Sequence, residues 1–194
     1  SGSFPVGKVN FLNLYPMTFL EFLDAVGFSR YRQLLEDIDH FTPLSEILHK
    51  DLIDLLRTYY FIGGMPEAVS HFSETENHHD VREIHQEIIN AYILDFARQV
   101  PASDIPKRMH IWDSIPKHLA GENNKFKFSA VKSGARAREY ENALTWLEDA
   151  GLIYRVCSVE NSRYPLQYYA DRSAFKIYVL DVGLLGAMAG LPVD

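Results

Sequence analysis

The sequence predicts a mainly α-helical protein with a small β component, and three observations carry that prediction. Val81, Ile84, Ile88, Tyr92 and Phe96 recur at helical spacing, as apolar residues do through most of the first half. Gly63-Gly64 and Gly151 stand where such periodic runs stop. The stretch KSGARAREYENALTWLEDAGLIYRV, Lys132 to Val156, sets a glycine turn, an arginine-bearing helix, a glycine stop and an apolar strand in succession. Helix, helix, turn, helix and then a β-hairpin is the order of a winged helix-turn-helix, whose turn often contains glycine.

Each element has its own local cause. KVNFLNLYP alternates apolar and polar residues before Pro16, predicting a strand from Lys8 to Leu14 with no evident partner. Thr18 and Glu21 have capping-box spacing and open a helix through Ala25. A second helix is expected from Ser29 to Asp39. Thr42-Pro43 predicts an N-cap with proline at the first helical position, followed by a long helix from Leu44 to Phe61. Pro66 starts a short helix through Phe72, SETENHHD reads as a polar loop, and Asp80 to Gln99 reads as one long helix. Pro101 ends it, and VPASDIP reads as the linker between two domains.

The second half opens on a helix from Ile105 to Leu119 that Pro116 is expected to kink or restart. After the loop GENNKF come a short helix from Ser129 to Lys132, the turn Ser133-Gly134 and a helix from Ala135 to Ala150. Strands are predicted at Leu152–Val159, Leu166–Ala170 and Phe175–Leu180, with ENSRYP as the turn after the first and a terminal helix after the last.

At 194 residues the chain holds one or two domains. Its composition, 47% hydrophobic and 23% charged, is that of a globular protein with a real core. A formal net charge of −7 argues against wholesale wrapping of nucleic acid, so contact with DNA requires a local basic patch on an acidic body. Cys157 is the one cysteine, which excludes an internal disulfide and any multi-cysteine zinc site; it reads as a small buried side chain on a strand. No apolar run reaches the ~20 residues that span a bilayer, and no signal peptide opens the chain, so the expected location is the cytoplasm, with no membrane partner. Ser1-Gly2 has the form of a vector remnant.

On a helical wheel Tyr140, Ala143, Leu144, Leu147 and Ala150 share the core face, whereas Arg138, Asn142, Thr145 and Asp149 lie opposite. The start of a recognition helix is where base edges are met. Arg136 and Arg138 stand there, with Lys132 just before and Lys125 and Lys127 upstream, and Arg163 sits at the hairpin tip within reach of phosphate. Glu139, Glu141, Glu148 and Asp149 on the same helix oppose a phosphate wall unless they point away. Surface pairing of these arginines with the neighbouring acids is the competing expectation.

Catalytic motifs are sparse. VGKV at Val6 to Val9 lacks the upstream glycine and the following Ser or Thr of a phosphate loop, so no ATP hydrolysis is expected from this chain. Asp171 and Lys176 are a faint nuclease-like pair that packing explains better. Among eight histidines, His78, His79 and His85 cluster near one helix start, with a solvated polar cap favoured over a metal site. No serine or cysteine has a nucleophilic setting.

The blocks SFPVGKVNFLNLYPMTFLEFL, YYFIGGMPEAV, GARAREYENALTWLEDAGLIYRV and SAFKIYVLDVGLL resemble those of bacterial and archaeal AAA-like P-loop ATPases of the STAND type, which carry a C-terminal domain of unknown function. Members of that family run as an ATPase core, a helical lid, a winged helix and a nuclease-like region of the PD-(D/E)XK type. The resemblance implies that residues 1–15 are the last strand of a truncated ATPase core, 16–98 a helical AAA-type lid, and 99–194 the winged helix-turn-helix domain. It also implies that Gly64, Met65 and Pro66 match a motif in the lid that touches the nucleotide base. ATP and magnesium would then belong to the intact protein and no cofactor to this part. The partners it implies are DNA, reached through Lys127, Lys132, Arg136, Arg138 and Arg163, and the protein's own ATPase core and nuclease-like domain; self-association stays open. The alternative is a winged helix that serves only as a protein-interaction or dimerisation module.

Overall fold

The computed structural model describes residues 12–39, 42–98, 103–121 and 124–193. Within them the chain is mainly α-helical, with one small antiparallel sheet of two strands. The expected strand at 8–14 lies largely outside the described residues, and its described part, 12–14, joins no sheet.

Side-chain caps from Thr18, Ser45, Asn77 and Asp181 open four of the described helices. The first helix, α1 (Phe19–Ala25), carries the full capping box: the Thr18 hydroxyl accepts from the Glu21 amide, and the Glu21 carboxylate accepts from the Thr18 amide at 2.7 Å. Next comes α2 (Ser29–Asp37), two residues shorter than expected because Ile38 is already extended. The long helix α3 (Glu46–Ile62) is capped by Ser45, whose hydroxyl accepts from the Leu48 amide, and not by Thr42. It ends at Gly63, whose φ of +74° is readily adopted only by glycine.

Pro66 occupies the first turn of α4 (Pro66–Thr75), which runs three residues past its predicted end. The predicted loop shrinks to Glu76-Asn77, because the Asn77 side chain accepts from the His79 amide and opens α5 (His78–Arg98) early. In the second half, α6 (Ile105–Ala120) runs through Pro116 without restarting. The short α7 (Phe128–Val131) and α8 (Ala137–Asp149) follow, with Gly134 turning between them at a φ of +78°.

The sheet departs from prediction. Strand β1 (Ile153–Val159) pairs with a single long β2 (Ala170–Val179), and Leu166–Tyr169 is a turn of 3-10 helix where a strand was expected. The register jumps between Cys157 opposite Phe175 and Ser158 opposite Asp171. Asp171 accepts from the Ser173 hydroxyl and amide inside this bulge, which holds its carboxyl below the ordinary range. Asp171 is thereby occupied within its own strand. Cys157 is half-buried on β1, more open than the sequence implied.

The chain ends in α9 (Val182–Met188), capped by Asp181, whose carboxylate accepts from the Leu184 amide at 2.9 Å.

Two clusters form the core. The smaller gathers Phe22, Ile62, Ala68, Val69 and Val81 from α1, α3, α4 and α5. The larger centres on Trp112, Ile111, Ile115, Leu144, Leu147, Ile153, Ile177 and Leu184. Phe96 stands edge-on to both Trp112 and Trp146, at centroid distances of 5.8 and 5.4 Å. Helix α5 serves both clusters: Val81 lies in the first, Ile89 and Phe96 in the second. Helix α9 returns to pack on α3 and α5. The division expected near residue 99 therefore separates segments of sequence that share packing through α5 and α9.

Candidate functional site

Two places on the chain bring unusual residues together, and their polar groups are handled in opposite ways. The first is the Gly63-Gly64 junction. The Gly64 amide donates to the Asp181 carboxylate at 2.6 Å, and its carbonyl accepts from the Met17 amide at 2.7 Å. A Cβ on Gly63 would overlap Asp181 Oδ1, and one on Gly64 would overlap the Met17 carbonyl oxygen. Gly183 is held as closely, since its Cβ would meet the Ile62 carbonyl at 2.6 Å. The glycines are thus required by packing of the chain on itself. Gly64 is buried with both backbone groups engaged, Met65 packs against both core clusters, and Pro66 alone of the three is exposed.

The histidines flank this junction in separate roles. His78 stands edge-on to Phe61 and Phe72, each at 5.1 Å. His85 is fully buried, in contrast to the solvated cap expected, and its Nε2 lies 2.8 Å from the Ile62 carbonyl, which makes that nitrogen the donor. Burial pushes the His85 imidazole below its ordinary range. Arg82 lays its guanidinium over Phe61 at 4.4 Å, and none of its three nitrogens has a hydrogen-bond partner among the described residues. Among the described residues no three His, Cys, Asp or Glu side chains cluster to hold a metal.

The second place is the groove between the start of α6 and the start of α8. On α8 the apolar stripe is buried as predicted at Tyr140, Ala143, Leu144 and Leu147, while Ala150 is exposed at the helix end. Arg138, Asn142, Thr145 and Asp149 face solvent. Arg136 occupies the N-cap position without a side-chain capping hydrogen bond and is exposed.

Lys132, Arg136 and Arg138 form no ion pair among the described residues. Two of the acids on α8 are engaged elsewhere. Arg155 on β1 binds Glu141 at 2.6 Å and Glu148 at 3.3 Å, turning both toward the sheet. Glu139 remains at the groove.

The groove divides into two adjoining clefts that share Lys107 and Glu139. One, of about 460 Å³, runs under the turn at Lys132, Ser133 and Gly134, with His110 and Tyr140 at its floor. The other, of about 480 Å³, lies between Asp104, Lys107 and Arg108 on one wall and Arg138, Glu139 and Asn142 on the other. Lys107 and Arg108 were missed in the sequence, although PKRMH at a helix start was a visible basic run. Lys127 is exposed before α7 with its carbonyl 3.1 Å from His118 Nε2, Arg163 is exposed at the hairpin tip, and neither lines these clefts. Lys125 stands on the sheet side with Val156, Lys176 and Tyr178.

No helix among the described residues is long and apolar enough to cross a membrane. A family model, described as a domain of unknown function (DUF8612), matches residues 53–194, which hold both the glycine junction and the groove. No curated protein and no solved structure matches the chain.

Proposed function

The chain belongs to the DUF8612 family of domains of unknown function, and from that premise we propose that its C-terminal part is a winged helix that binds DNA through the α6/α8 groove. One observation carries the reading: Lys107, Arg108, Lys132 and Arg138 line a single groove, with Arg136 exposed at the N-cap of α8, while Arg155 holds Glu141 and Glu148 on the sheet side. A phosphate backbone is attracted by unpaired cations and repelled by free carboxylates, so the sorting of charge matters more than the net charge. The hairpin β1–β2 then acts as the wing, with Arg163 at its tip.

In this reading the segment before α6 is a nucleotide-sensing lid of an ATPase, and the chain itself is non-catalytic. Pro66 is the exposed member of the lid motif, and Gly64 behind it is gripped by Asp181 at the end of the wing strand. A displacement of the glycine junction by bound nucleotide would be passed through that carboxylate to β2 and α9. Coupling of this kind requires different contacts in the two nucleotide states. ATP and magnesium would be held by the ATPase core of the intact protein.

The test is DNA affinity of the full-length protein by fluorescence anisotropy. Lys132→Ala and Arg138→Ala each weaken binding across all sequences, and the double variant weakens it further. Unchanged affinity in the double variant removes the site.

A second reading has its own observation. Tyr164 and Tyr168 are 89% and 81% exposed in the connection of the hairpin, and Tyr154, Val156 and Tyr178 are open on its strands. Apolar groups displayed this way suit a protein partner. Concentration-dependent self-association that Tyr168→Asp abolishes, without any DNA binding, favours that module.

A further inference from the structure

Arg108 is the residue whose placement the groove reading leaves unexplained. It belongs to the first turns of α6, yet only 6% of its surface is exposed. Its guanidinium lies over the Trp146 indole at 4.6 Å, and its Nε and Nη1 are buried without any hydrogen-bond partner among the described residues. A buried guanidinium without an acceptor is costly, because its lost hydration is not replaced. Arg108 nevertheless lines an open cleft of about 480 Å³, with Lys107 and Arg138 on its walls.

Among the described residues neither carboxylate of the cleft is paired with an arginine. Asp104 is engaged with Lys107 at 3.9 Å, and Glu139 makes no ion pair with Arg108 or Arg138. With Lys107 and Asp104 paired, the described lining leaves Arg108 and Arg138 against the single carboxylate of Glu139. Asn142 adds a neutral amide donor on the opposite wall. A planar guanidinium held by stacking, a second arginine across the gap and an amide donor are the parts of a seat for a tetrahedral oxyanion.

We propose that this cleft binds one phosphate group, with Arg108 as the buried anchor and Arg138 as the closing side chain. The proposal rests on the DNA reading only for the source of the phosphate. A backbone phosphodiester and free inorganic phosphate present the same oxygens.

The experiment follows the Arg108 Nε–H resonance by NMR in the full chain, with inorganic phosphate, with sodium chloride at matched ionic strength, and with a short DNA duplex. Inorganic phosphate should shift that resonance saturably and chloride should not. Arg108→Lys, which keeps the charge and loses the fork, should weaken the phosphate affinity about tenfold. Glu139→Gln, on the exposed rim, should strengthen it about threefold by removing a nearby like charge. A resonance that follows chloride as it follows phosphate, or that stays put in both, overturns the seat even if DNA binds elsewhere on the groove. A saturable phosphate response with no response to DNA supports the seat and removes the DNA reading. The wild-type titration decides the matter even if Arg108→Lys fails to fold.

Discussion

The glycine junction and the α6/α8 groove are both rich in polar groups, yet one is closed and the other open. At the junction the Gly64 amide, the Gly64 carbonyl and the Asp181 carboxylate are all engaged within a shell too tight for a single Cβ. In the groove Lys132, Arg138 and Arg108 form no ion pair among the described residues, and the Arg108 Nε and Nη1 have no hydrogen-bond partner there. The two glycines stand where the chain packs on itself too closely for a side chain. The groove's arginines keep bonding capacity that the described residues do not use.

The largest effect should come from the closed region. Gly64→Ala drives a Cβ into the Met17 backbone, which cannot move without dragging the start of α1, and should cost about 3 kcal/mol of stability. A urea titration checks it; a loss no greater than that of a surface substitution would show the junction to be loose. Asp181→Ala strands the buried Gly64 and Leu184 amides together, and should cost about 2–3 kcal/mol. Asp181→Asn, which keeps one acceptor oxygen, should recover part of that loss in the same titration.

His85 sharpens the contrast through pH. Burial holds its folded-state pKa below the unfolded value near 6.5, so the unfolded chain takes up the proton first as pH falls. This contribution to stability is full above that value and is lost on acidification below it. His85→Gln, which keeps a donor for the Ile62 carbonyl, should flatten the fall in thermal midpoint between neutral and mildly acidic pH. An equal fall in both proteins would assign the acid sensitivity elsewhere.

The smallest effect belongs to the open region. Arg155→Ala releases Glu141 and Glu148 from the sheet, and should weaken DNA binding about threefold at low salt and hardly at all at high salt. Anisotropy at two ionic strengths checks this; a salt-independent loss would mean that Arg155 supports folding of the wing instead.

Legibility in the sequence followed the range of the interaction. The Thr18–Glu21 box and the buried stripe of α8 were readable because every partner lies within a few positions. The same local reading misplaced the cap of α3, since Thr42-Pro43 and Ser45 offer competing starts three residues apart. It also took Leu166–Ala170 for a strand. Aromatic residues there have high β propensity, but a 3-10 turn sets the chain in register with β1 instead.

Asp181 was invisible as the partner of Gly64, from which it is separated by 117 positions. Lys132, Arg136 and Arg138 were found from their place before and at the start of α8. Arg108 was not, because nothing in PKRMH says that one of its cations is buried against a tryptophan two helices away. The resemblance to ATPase lids pointed to Gly64 through Pro66, of which only Pro66 is exposed.

The most direct measurement of the open groove is the salt dependence of DNA affinity for the full-length protein and its Lys132→Ala/Arg138→Ala variant. Binding of phosphates in the groove predicts a steep linear fall of log affinity with log salt, shallower in the variant by about 0.9 for each phosphate it no longer neutralises. Identical slopes in the two proteins, or an affinity indifferent to salt, would contradict it.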